Sequence, residues 1–310
     1  MMRSKKLFTL CAAASVLAFS SLGVSAQEKL YVYTSMKDSM LGELKKGFTK
    51  KHPEVKLDFQ SAGAGKLMAK LAAERESGKI LADILWTSEV PDFYQMKARG
   101  QLHPYIPAEI KSLIQPLPDY DGSFTAVRLG TLGIAYNTKR IKEAPKSWED
   151  LKKPEYKGAF AIANPALSGT AYMSVALLAK QFGWTYFEAL RANGAKMGKG
   201  SGQVVDDTSS GDLVASLGVD YIVLDKLDKG ANLGFVFPQE MLVLPSPIAI
   251  IKGTQNESAA KKFVDFVLSK DGQQIIADEG TLPVRADVKN PERYKLPPAD
   301  EAMKRAIKID

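Results

Sequence analysis

The chain has 310 residues, a formal net charge of +7 at pH 7 and one cysteine. The basic surplus is too mild and too dispersed for a nucleic-acid binder, which concentrates its positive charge in a stripe. One cysteine excludes both a disulfide framework and a thiolate metal cage, and the length favours two lobes over one core.

The first 26 residues read as a secretory signal peptide. Met1, Arg3, Lys5 and Lys6 make a basic start, Leu7 to Ser20 an apolar run, and Val24-Ser25-Ala26 a small-residue exit, with cleavage expected after Ala26. The apolar run falls short of the roughly 20 residues that a membrane span needs. Leu10 precedes Cys11 where lipid attachment wants Gly or Ala. The expected product is periplasmic and monomeric, and loss of residues 1–26 leaves 39 of the 42 basic side chains against 35 acidic ones, a net charge of +4. That charge suits a small anionic solute.

Strand and helix patterns then alternate. Lys29–Thr34 reads as a strand. Met40–Lys50, with Met40, Leu41, Leu44 and Phe48 at helical spacing, reads as a helix. Val55–Phe59, Lys66–Glu76, Ala82–Trp86 and Pro91–Arg99 repeat the alternation, and a Pro-rich stretch from Pro104 to Pro118 ends the unit. Thr125–Tyr136 predicts one long strand and Ser147–Leu151 the start of a helix. Ala159–Ala163 (strand), Thr170–Phe182 (helix) and Asp220–Leu224 (strand) open a second series. Ile248–Ile251 predicts a strand, and Ser258–Leu268 and Lys270–Glu279 predict helices, before a polar tail with a short helix around Ala299–Ile307. This alternation predicts an α/β protein of two lobes, each a mostly parallel sheet flanked by helices, joined by crossing strands. The expected boundaries are 27–128 with 244–290 for the first lobe and 132–240 with 291–310 for the second. The crossings fall near 129–131 and 241–243.

Ligands in such sheets sit at the carboxyl ends of the strands. Three small-polar turns occupy such places: Thr34-Ser35-Met36-Lys37, Ser61-Ala62-Gly63-Ala64-Gly65 and Leu167-Ser168-Gly169-Thr170-Ala171. Each offers backbone N–H groups, hydroxyls and the positive end of a helix dipole, which together suit an anion. Ordinary N-capping by Ser or Thr is the alternative for any one of them. Ser35, Ser61, Ala62, Gly63, Ser168, Gly169 and Thr170 are therefore the candidate anion-binding residues. For the rest of the solute the candidates are Trp86, Thr87, Asp206, Asp207 and Asp225, with an aromatic to stack and carboxylates to accept hydrogen bonds from hydroxyl or ammonium groups. Trp86 reads equally as a core side chain, and Asp206 and Asp207 equally as caps of a Thr208–Gly211 turn. Arg128, near the first crossing, either pairs with a carboxylate or reaches the anion. His52 and His103 stand far from any nucleophile motif, and neither Gly-x-Ser-x-Gly nor His-Glu-x-x-His occurs, so no catalytic residue, metal site or cofactor is expected.

Taken in order, six segments resemble the extracytoplasmic solute-binding proteins of ABC importers. They are Val32-Tyr33-Thr34-Ser35, Ser61–Gly65, Ala82–Trp86, Gly133-Ile134-Ala135-Tyr136-Asn137, Ser168-Gly169-Thr170-Ala171 and Leu244-Pro245-Ser246-Pro247-Ile248-Ala249-Ile250. Within that family the chain is most similar to the branch for ferric iron, hexose phosphates, phosphonates and thiamine. The resemblance implies a type II periplasmic-binding clamp, a permease partner in the inner membrane and no enzymatic activity. It places an anion at Ser168-Gly169-Thr170. Ferric members carry two adjacent tyrosines after a second-lobe strand, a place assigned here to Asp225-Lys226, which argues against iron. The expected solute is a hexose phosphate or a 2-aminoalkylphosphonate. Ferric iron, thiamine or a sensing role are the alternatives.

Overall fold

The computed structural model describes residues 28–114 and 121–308. The expected signal peptide and its cleavage point lie outside the described residues.

Each lobe is built on three parallel strands. In the first, β1 (Glu28–Thr34), α1 (Asp38–Lys51), β2 (Val55–Ser61), α2 (Ala64–Glu76), β3 (Ile84–Trp86) and α3 (Val90–Ala98) alternate as the pattern predicts. α1 shows why. Met40, Leu41, Leu44 and Phe48 are its buried residues, Asp38 stands in the first turn, and Lys50 and Lys51 in the last, so core burial and the helix dipole agree. Residues of β1 alternate between two cores, with Leu30 and Val32 against α1 and the C-terminal helices and Tyr33 against the other face.

A short β4 (Leu102–His103) precedes β5 (Thr125–Asn137), the long strand that leaves this lobe. The second lobe follows with β6 (Phe160–Ala163), α4 (Gly169–Phe182), α5 (Trp184–Ala192), β7 (Lys196–Gly198), α6 (Ser201–Ser210), β8 (Ala215–Val219), α7 (Asp220–Asp228) and β9 (Leu233–Val236). The return strand β10 (Leu242–Ile251) leads into α8 (Glu257–Leu268), α9 (Lys270–Asp278) and α10 (Ala299–Arg305). The main sheet path runs β2-β1-β3-β10-β5-β8-β6-β7, with β4 on β10 and β9 on β5.

β5 and β10 are antiparallel to each other and pass from one lobe to the other. Val127 and Leu129 belong to the first-lobe core, Leu132 and Ile134 to the second. The pairing breaks step between Ser246 and Pro247, flanked by a second proline at Pro245.

Three expectations change. Asp220–Leu224 is the start of helix α7, not a strand, and the strand is the preceding Ala215–Val219. Thr208 to Ser210 close helix α6, with only Gly211 in a left-handed turn at φ 96°. The tail expected with the second lobe is split, since Ala302 of α10 enters the first-lobe core and Ile307 the second.

Candidate functional site

The strands of the two lobes aim their carboxyl ends at each other. In the first lobe Thr34, Ser61 and Trp86 stand side by side at the strand ends. In the second, Ala163 pairs with Gly198. The turns that follow these ends enclose a cavity of about 380 Å³. From the first lobe come Ser35, Gly63, Lys66 and Ser88; from the second come Leu167–Thr170, Lys199–Gly202, and Val219 with Tyr221 and Ile222.

This wall is built to meet negative charge. Helices α2, α4 and α6 all begin at the cavity, and none has an acidic residue in its first turn. α2 and α6 start at Gly63 and Gly200, which have no capping side chain, so their first N–H groups are left for a ligand. Between α4 and α6 three hydroxyls cluster. Ser168 Oγ lies 3.0 Å from Thr170 Oγ1 and 3.0 Å from Ser201 Oγ, and the last two are 3.1 Å apart. Lys66 and Lys199 add positive charge from opposite lobes, and no Asp or Glu is among the described lining residues.

The lobes touch across the cavity. A Cβ added at Gly63 would lie 2.5 Å from the Leu167 carbonyl oxygen. Across from α4, the Glu89 side chain packs on Gly169, where a Cβ would come within 2.2 Å of its Cδ. The described conformation is therefore a closed one.

Of the residues expected at the anion, Ser35, Gly63, Ser168, Gly169 and Thr170 meet at this cavity. Ser61 instead donates its hydroxyl to the Met36 carbonyl, and the Ala62 N–H is spent on Thr34. The residues expected to read the rest of the solute lie elsewhere. Trp86 is fully buried and its indole N–H donates to Ser246 Oγ at 3.2 Å, while Thr87 is buried behind it. Asp206 is paired with Lys226, Asp207 accepts from Gln203, and Asp225 pairs with Lys229 at 2.8 Å, all away from the lining. They face outward because α6 and α7 are helices whose other faces are buried.

Ser201, Ser88 and Tyr221 were not singled out from sequence. Lys199-Gly200-Ser201-Gly202 has the same small-polar character as the three recognised turns, but its strand is only three residues long. Ser88 follows an apolar strand end, and the strand-like pattern of Asp220–Leu224 hides the helical place of Tyr221.

Tyr221 opens onto the cavity from the first turn of α7. The true strand end therefore carries Tyr221-Ile222 rather than Asp225-Lys226, a single phenol followed by an aliphatic residue. The Arg128 guanidinium lies over its ring at 4.9 Å and the Lys37 ammonium at 5.4 Å. Burial raises the Tyr221 pKa, against the pull of Arg128, so the phenol stays protonated near neutrality.

Arg128 itself resolves into a structural role. It is fully buried, donates to Thr281 Oγ1 at 2.7 Å, and stands 3.8 Å from Asp220 Oδ1. Asp220, equally buried, accepts from the Thr131 N–H, the hydroxyls of Thr131 and Thr281, and the Tyr221 N–H. Burial pushes its carboxyl pKa up, opposed first by Arg128 and then by those N–H donors. The pair locks the crossing strand β5 to α7.

Residues 79–304 match the family described as bacterial extracellular solute-binding protein. A Salmonella typhimurium protein described as a 2-aminoethylphosphonate-binding periplasmic protein is 28% identical over 250 residues, covering 76% of this chain and 72% of that one. The periplasmic binding protein AfuA from Actinobacillus pleuropneumoniae, solved with fructose-6-phosphate bound, superposes with a TM-score of 0.76 at 27% identity, covering 89% of this chain and 96% of that one. Iron-bound HitA from Pseudomonas aeruginosa, at 24% identity and a TM-score of 0.75 over 89% of this chain and 92% of that one, shares the fold. Two lobes, crossing strands and a cavity between strand ends are the type II periplasmic-binding clamp, and the chain belongs to the bacterial extracellular solute-binding proteins that hand small solutes to ABC importers.

Proposed function

We propose that the cleft binds a small phosphorylated or phosphonylated solute, with its anionic group against the hydroxyl cluster of Ser168, Thr170 and Ser201. The observation that carries this reading is the convergence of three helix N-termini, that cluster and two lysines on one cavity. Charge-assisted hydrogen bonds to phosphate oxygens need this density of donors. The hexose phosphate of the Actinobacillus protein and the phosphonate in the description of the Salmonella relative both carry such a group. The ligand remainder is then read by Ser35, Ser88 and Tyr221 rather than by Asp206, Asp207 or Asp225. Closure of the lobes presents the loaded clamp to a permease in the inner membrane. The protein performs no reaction and acts as a periplasmic monomer once residues 1–26 are removed.

The test is a thermal-shift panel of inorganic phosphate, glucose 6-phosphate, 2-aminoethylphosphonate, thiamine and ferric citrate, with native mass spectrometry of the purified protein. A tight ligand must raise the melting point at saturation by mass action. Stabilisation by an organic phosphate or phosphonate is expected. Stabilisation by ferric citrate alone, with a coloured phenolate–iron complex, would overturn the reading.

A further inference from the structure

We propose that Glu89 is a ligand-contacting residue of this cleft, and that one proton is held between its carboxyl group and an oxygen of the bound oxyanion. The inference rests on the phosphate-group reading and adds a residue to it. Glu89 follows the lining residue Ser88 at the start of α3, yet its side chain caps nothing there. It is only 7% exposed, and its Oε2 is buried with no hydrogen-bond partner among the described residues. Its Cγ, Cδ and Oε1 fill the space where a side chain on Gly169 would begin, within 2.2–2.4 Å of that Cβ position. Gly169 is the first residue of α4, between Ser168 and Thr170, which supply two of the three clustered hydroxyls. A carboxyl group from the opposite lobe thus packs on the turn that carries two of the oxyanion donors, directly after the lining residue Ser88.

An unpaired buried acceptor calls for a donor. A ligand ammonium is badly placed to be that donor, because the positive end of the α4 dipole and the lysines of the same cavity repel it. Two anions in contact in a site shielded from water do not both stay ionised. A shared proton satisfies Glu89 and the oxyanion together. Burial, and after it the like charge of Asp92 in the first turn of the same helix, brings the Glu89 pKa up to about 7. From α4 come only Ser168, Gly169 and Thr170, none of which titrates. From β5, Arg128 reaches Ser88 Oγ at 3.5 Å but is matched by Asp220. Lys66 and Lys199 enter the same cavity from α2 and the turn before α6.

The proton count follows. A phosphate monoester loses its second proton near pH 6. At pH 8 both partners are deprotonated when free, so the complex takes up about one proton from solution, and affinity falls about tenfold per pH unit above that range. In Glu89→Gln the amide donates an N–H to the dianion and no proton is needed.

Isothermal titration of the mature chain with 2-aminoethylphosphonate and with glucose 6-phosphate, at pH 8 in two buffers of different ionisation enthalpy, reads the uptake directly. The expected result is about one proton per ligand for the wild type and none for Glu89→Gln, whose affinity is level from pH 7.5 to 9. Tight binding by the wild type without uptake overturns the proposal alone, and so does equal uptake in the variant. Binding of neither probe at any pH overturns the phosphate-group reading and this proposal with it. Should Glu89→Gln fail to fold, the wild-type titration still decides, because absence of uptake is sufficient to reject the shared proton.

Discussion

Ser168 Oγ and Ser201 Oγ lie 3.0 Å apart although they begin two different helices, α4 and α6. Ser168 also accepts the Ala171 N–H at 3.4 Å, a weak N-cap, so the backbone of its own helix engages its hydroxyl only lightly. Ser201 caps nothing. Replacing Ser201 by Ala should therefore leave the melting point nearly unchanged and weaken capture of a phosphorylated solute. Loss of one hydrogen bond to a charged group costs roughly 1.5–3 kcal/mol, or about 10- to 150-fold in affinity. Calorimetry on Ser201→Ala and Ser168→Ala checks this, and an unchanged affinity in both would remove the cluster from the site.

Gly63 concerns closure rather than chemistry. Its φ of −58° suits any residue, so Gly63→Ala should fold normally. The added methyl meets the Leu167 carbonyl across the cleft and holds the lobes apart. Small-angle scattering with saturating ligand should show a radius of gyration that contracts in the wild type and not in Gly63→Ala, with weaker binding. Equal contraction in both would show that the lobes approach differently from the described form.

Arg128 and Asp220 should behave as a structural unit. Removing one partner of a buried ion pair leaves an uncompensated charge and costs about 3–5 kcal/mol. Arg128→Met should lower the denaturation midpoint far more than Ser201→Ala does. The double variant Arg128→Met with Asp220→Asn should recover part of that loss. A double variant no better than the single one would mean that the hydrogen bonds to Thr131 and Thr281, not the charge, hold the crossing.

Glu89 also gives ligand-free stability a pH dependence. Its carboxyl group holds a proton more tightly in the folded form, about 7 against 4.5 for the unperturbed group. Between those values the folded state carries more protons than the unfolded chain, so stability falls as pH rises through this window and levels off above it. Melting temperatures from pH 4.5 to 8 should show this decline, shallower in Glu89→Gln. Parallel curves would indicate that Glu89 is solvated when no ligand is bound.

Asp225→Asn and Asp206→Asn should bind every solute of the panel as the wild type does. Their partners are the surface lysines Lys229 and Lys226, and neither carboxylate lines the cleft. A selective loss of an ammonium-bearing ligand in Asp225→Asn would restore the reading made from sequence.

Legibility in the sequence followed burial. The first lobe was readable because Leu30, Val32, Leu44, Phe48 and Ile84 lie at regular strand and helix spacing in one core. Ala215–Val219 escaped because Ala, Ser and Gly replace the large β-branched residues that mark a strand, while Tyr221-Ile222-Val223-Leu224 supplied that signature inside a helix. The hydroxyl turns of the cleft are legible because three of them fall at strand ends, although N-capping could account for any one alone. Carboxylates gave no such guidance. Asp206, Asp207 and Asp225 look alike in sequence to a ligand-reading group, and only helix phase turns them outward. Glu89 depends on a contact across the lobes, with Gly169, and Ser201 on a contact between two helices of the second lobe, with Ser168, and no local pattern contains either.

The two prolines of β10 bear on how such a clamp moves. Pro245 and Pro247 flank Ser246 at the step where β10 and β5 lose register, and neither has an N–H to give. The sheet is continuous from one lobe to the other, yet at this step its register slips between two residues that have no N–H to offer any neighbour. A sheet resists bending where its register is unbroken, so bending is expected to gather at this slipped step. The crease is thus written in backbone chemistry, and the cleft side chains take no part in it. The serines, the lysines and Tyr221 at the cavity can be exchanged for another solute while the crease stays as it is, which separates what the protein recognises from how it closes.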